Sequence, residues 1–113
     1  MHPWLKALQH DLVKRAVWPA RDLRDCGGRD LTALRCGLFD LIDKDGDPVT
    51  AQDLWERLRE QAPPGVEKAT ARFGQALQAA IAGLSRPWPA PIDSILALEN
   101  AFADLARAVE PES

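Results

Sequence analysis

Three carboxylates, Asp43, Asp45 and Asp47, alternate along the chain on either side of Lys44 and Gly46. Alternate positions in a tight loop can aim oxygen ligands at one hard cation, so divalent-ion chemistry would sit here if anywhere. A second donor set is thiolate and imidazole: Cys26, Cys36, His2 and His10 could formally supply four zinc ligands. Their spacing lacks clustered ligand pairs, and Cys36 reads more simply as a helical residue beside a core seam. His10 and Asp11 are neighbours that a helix is expected to point to different sides, which leaves no imidazole–carboxylate pair. Cys26-Gly27-Gly28-Arg29 has neither a Walker lysine nor a strand pattern before it, so it is no phosphate loop. These residues predict no enzyme, no catalytic residue, and no bound cofactor or metal.

The run Asp43-Lys44-Asp45-Gly46-Asp47 resembles the opening of an EF-hand calcium loop. The resemblance covers this segment and its flanking helices, and it implies a divalent-cation-responsive domain as an alternative function. The pattern departs at the sixth loop position, where Pro48 replaces the turn glycine, and at the twelfth, where Leu54 replaces a bidentate Glu. Deleting one residue would bring the shorter Asp53 to that place. A capped turn explains the same residues without an ion. Gly46 breaks the helix before it and Pro48 stops it resuming. Thr50 is then an N-cap, Asp53 the acid of a capping box, and Val49 and Leu54 a hydrophobic staple.

With 113 residues, 46% hydrophobic and 27% charged, the chain reads as one ordinary globular domain over 1–113, with 110–113 a fraying tail. No apolar run approaches a membrane span, and the first twenty residues lack a leader-like core, which predicts a cytoplasmic protein without a membrane partner. Abundant Ala, Arg and Asp with no Tyr hint at a GC-rich bacterial genome. A net charge of −3 gives nucleic-acid binding no global support. The charge is uneven. Residues 1–36 hold seven Lys/Arg against four Asp, a net +3, while 37–65 hold three against seven, a net −4. A basic third and an acidic middle could pair within one molecule or between two.

The elements that must carry these residues are all helical. Pro3 opens a first helix on the stripe Leu5, Leu8, Leu12, Ala16, Pro19 and Leu23, kinked or broken at Pro19 and stopped by Gly27-Gly28. Asp30 is expected to cap a second, with Leu31, Leu34, Leu38 and Leu41 as its seam, ending near Asp43. Thr50 opens a third, with Leu54, Trp55 and Leu58 inward, and Ala62-Pro63-Pro64-Gly65 stops it. A C-terminal helical hairpin follows. Ala69, Phe73, Leu77, Ala80, Ile81 and Leu84 face Ile92, Ile95, Leu98, Phe102, Leu105 and Val109 across a proline-rich loop at Ser85–Pro91. No strand-like alternation is visible, so the fold class is an all-α bundle of four to five helices.

On the first helix Lys6, His10, Lys14, Arg21 and Arg24 fall within an arc of about 80° opposite the leucine stripe, with Val13 and Val17 expected as its exposed apolar flanks. This basic strip predicts docking to a protein with an acidic surface, or self-association. Trp4 and Trp18 lie off the centre of the stripe, and Trp88 sits between prolines, either as an anchor for a partner or as a lid on its own bundle. The sequence therefore predicts a non-enzymatic protein-binding domain, such as an adaptor, a regulator or an accessory subunit of a bacterial complex. A metal- or cofactor-holding enzyme accessory protein is the further alternative.

Overall fold

The computed structural model describes residues 2–26, 31–43 and 45–110. The expected Gly27-Gly28 stop, the Asp30 cap and the tail at 111–113 lie outside them, as does the side chain of Cys26. Pro3 stands at the first helical position, and the His2 imidazole accepts from the Trp4 amide at 3.1 Å. The first helix, α1, joins three segments: Pro3–Leu8, a π turn Gln9–Val13, and Lys14–Cys26. Pro19 lies inside the last segment. The irregularity of α1 is thus spread over a widened turn and, downstream of it, a proline.

Proline has no N–H to offer the carbonyl four residues back, which here is that of Arg15. The second helix, α2 (Thr32–Phe39), closes over this spot. Its buried Gly37 lies so near that a Cβ there would overlap the Arg15 carbonyl oxygen and sit 2.9 Å from the carbonyl carbon. Only a residue without a side chain lets the two backbones approach this closely.

α2 ends at Phe39, earlier than the seam suggests, because the acidic turn is closed as a hairpin. Strands β1 (Leu41–Ile42) and β2 (Pro48–Val49) pair antiparallel, Leu41 opposite Val49 and Ile42 opposite Pro48. Asp43 is its hub. Its amide donates to the Asp47 carbonyl at 2.9 Å, and its Oδ1 accepts from the amides of Asp45 and Asp47, both at 2.9 Å. Gly46 supplies the left-handed residue at φ 87°. Leu41 and Val49 turn inward and Ile42 and Pro48 outward, so the leucine seam survives the change from helix to strand.

The third helix, α3 (Ala51–Arg59), starts with the expected capping box: Thr50 Oγ1 accepts from the Asp53 amide at 3.1 Å, and Asp53 Oδ2 accepts from the Thr50 amide at 3.4 Å. Thr50→Ala should cost about 1 kcal/mol in urea denaturation, since a first-turn amide loses its acceptor. Asp45→Asn should cost less, because residue 45 serves the turn through its amide, which Asn retains. The reverse order would mean that the Asp45 carboxylate has work the hairpin does not reveal.

Helices α4 (Glu67–Gly83) and α5 (Ala90–Val109) form the C-terminal hairpin, the most extensive packing among the described elements. The Lys14–Cys26 segment of α1 lies against α5, and extents of 39 × 32 × 20 Å fit two helix layers. The core includes Phe73, Leu77, Ile95, Leu98 and Leu105 of the hairpin with Leu8, Leu12 and Leu34. Trp55 meets Phe73 at 4.8 Å between ring centroids, and Phe73 meets Phe102 at 6.5 Å. Trp4 is buried and donates its indole N–H to the Leu58 carbonyl at 2.7 Å, tying the start of α1 to α3. Among the described residues no helix is long and apolar enough to cross a membrane.

Candidate protein-binding face

Each turn of α1 has two neighbours to satisfy. α2 covers the side at Arg15 and Ala16, and α5 covers the side of Val13 and Val17. Val13 and Val17 are therefore buried, which corrects the expectation that they flank the basic strip in solvent. Lys6, His10, Lys14 and Arg24 are exposed, and Arg21 is half-exposed in an ion pair with Glu99 of α5. The residues expected as one row lie before, within and beyond the π turn, whose winding differs from the α-helical advance. Lys14 and Arg21, both beyond the π turn, share one groove.

That groove is a cavity of about 160 Å³ between α1 and α5, with Val13 and Val17 in its wall, Phe102 and Glu99 across from them, and Trp18 at its edge. Trp18 is 57% exposed. It follows Lys14 by four residues and precedes Arg21 by three, so the three side chains share a helical face. At 100° per residue Trp18 falls about 40° beyond Lys14, just outside the arc of the cations, so a strip defined by charge alone omits it. Trp88, the other aromatic candidate, is half-buried and packs against the core.

His10 and Asp11 meet, against the expectation that they point to different sides of the helix. His10 Nδ1 lies 3.0 Å from Asp11 Oδ1, on the exposed surface of the π turn. The wider turn lessens the angle between successive side chains, so neighbours expected to diverge can meet.

On the other side of α1, Asp11 and Arg15 line a cleft of about 420 Å³ with Leu54, Arg57 and Ile42, the last 67% exposed. Asp43 is fully engaged beside it. Its Oδ2 accepts from Arg57 at 3.0 Å while Oδ1 holds the two turn amides. The Asp47 amide, and next the Arg57 guanidinium, hold its carboxyl below the ordinary carboxylate value. A depressed carboxyl contributes stability that is complete above that ordinary value and is lost as pH falls through the folded one. Thermal melts should therefore show wild type ahead of Asp43→Asn at neutral pH, with the gap narrowing below the usual carboxylate range. A gap unchanged at low pH would contradict this.

Cys36 is exposed on α2, one turn before Asp40; a hydrogen bond to that carboxylate, foremost, raises its thiol above the usual value. Among the described residues no group of three or more His, Cys, Asp or Glu gathers as a metal site. No protein-family model, curated protein or solved structure matches this chain.

Proposed function

We propose that this chain is a non-enzymatic protein-binding domain, an adaptor, regulator or accessory subunit, which docks an acidic partner on the face of α1 centred on Trp18. The observation that carries the reading is Trp18 itself, 57% exposed between two cations at the edge of a groove. Tryptophan and arginine are the side chains that most often dominate an interface, because one supplies rigid apolar area and the other directed charge. At about 160 Å³ the groove is below the roughly 300–1,000 Å³ of small-molecule sites. It suits one side chain of a larger partner.

The test is capture of partners by wild type and by the double variant Lys14→Glu, Arg21→Glu. Lys14 is exposed and the Arg21–Glu99 pair is only half-buried, so reversing both charges should cost little and the variant should keep its helical circular dichroism. Like charges facing each other across an interface repel, so it should lose the partner that wild type retains. A folded variant that keeps every partner would show that this face is idle.

A further inference from the structure

The two surfaces flanking α1 are complementary. Around Trp18 an exposed aromatic stands between Lys14 and Arg21, the latter paired with Glu99, at the edge of a groove. Around the hairpin an exposed aliphatic, Ile42, stands beside Asp45 and Asp47, both exposed. Each therefore has an apolar centre and a mixed rim whose balance differs in sign: Lys14 and Arg21 against Glu99 around Trp18, and Asp11, Asp43, Asp45 and Asp47 against Arg15 and Arg57 around Ile42. That is the anatomy of an interface divided into halves. The charge division of the chain follows the same line, +3 over residues 1–36 and −4 over 37–65.

One molecule cannot bring these halves together. Lys14, Trp18 and Arg21 face the α5 side of α1, whereas Asp11 and Arg15 face the Ile42 cleft. With α2 fixed against Arg15 through Gly37, the hairpin stays on its own side of the helix. We infer that the acidic occupant of the Trp18 face is the hairpin of a second copy of this chain, with Ile42 entering the groove and Asp45 and Asp47 meeting Lys14 and Arg21. The inference rests on the reading of the Trp18 face as a docking surface and names its partner. Because the two patches differ, the contact is heterologous. Each copy keeps one patch of each kind open, and association proceeds to rings or open chains rather than stopping at a two-fold dimer.

Sedimentation velocity on the full chain, at low ionic strength and up to about 1 mM, is the experiment. Wild type should grow in size with concentration and dissociate as salt screens the rim charges. Two variants each remove one half: Trp18→Ala with Lys14→Glu, and Ile42→Ser with Asp45→Lys. All four positions are exposed, so both should keep wild-type helicity. Each alone should be monomeric. Mixed, they should form a one-to-one pair and nothing larger, since each retains the half the other lacks.

Monomeric wild type at every concentration would overturn the inference, as would association surviving in either variant, or a mixture that forms no pair. If wild type is monomeric yet captures another protein through Lys14 and Arg21, the second copy is the wrong occupant and the docking face stands. If it neither associates nor captures anything, both readings fall.

Discussion

Replacing Gly37 by Ala should destabilise the protein by about 3 kcal/mol or more, lowering Tm by roughly 10 °C or more. Two effects oppose each other at this position. Within a helix, Gly→Ala gains about 1 kcal/mol of intrinsic propensity. Against it, the added methyl would overlap the Arg15 carbonyl oxygen, which is backbone and cannot rotate aside. Relief requires α2 to move off α1, loosening Leu34 and Leu38 from the core. Overpacking against backbone outweighs propensity, and the sign is therefore a loss. Urea denaturation should show a lower midpoint at unchanged slope. A gain in stability would mean that α1 and α2 are not in close contact at the proline.

Trp55→Ala should cost about 3–5 kcal/mol, the range for emptying a large aromatic from a packed core. Trp55 is 2% exposed, meets Phe73 at 4.8 Å, and lies over Gly74, where a Cβ would come within 2.9 Å of the indole nitrogen. α3 is only about two and a half turns long, and this side chain ties it to α4 at Phe73 and Gly74. Against a typical total of about 5–15 kcal/mol, the loss would leave a marginal fold. Trp55→Phe should recover much of it by keeping a ring in the gap. A loss below about 1 kcal/mol for Trp55→Ala would show that α3 docks by other contacts.

What could be read beforehand depended on the range of the interaction. The seams of Leu34 and Leu38, of Phe73 and Leu77, and of Ile95 through Leu105 are periodic, and periodicity placed the helices. The Thr50–Asp53 box is local chemistry between residues three apart and was legible as such. Two-residue strands have no period to detect, so by sequence Leu41–Ile42 reads as helix and Pro48–Val49 as turn. The π turn is likewise invisible to any count that assumes a constant advance, and such a count separates His10 from Asp11 where the structure joins them. Nothing local marks Val13 and Val17 as buried, because their covering helix, α5, is some eighty residues away. That packing also leaves Trp18 as the exposed large apolar residue at the basic face, which only the assembled fold reveals.

The most direct test of the docking face is the affinity of folded Trp18→Ala for a partner that wild type retains, measured by isothermal titration calorimetry. A central aromatic anchor is worth about 2 kcal/mol or more, so affinity should fall by roughly 30-fold or more while helicity and Tm stay at wild-type values. An affinity equal to that of wild type would place the interface elsewhere.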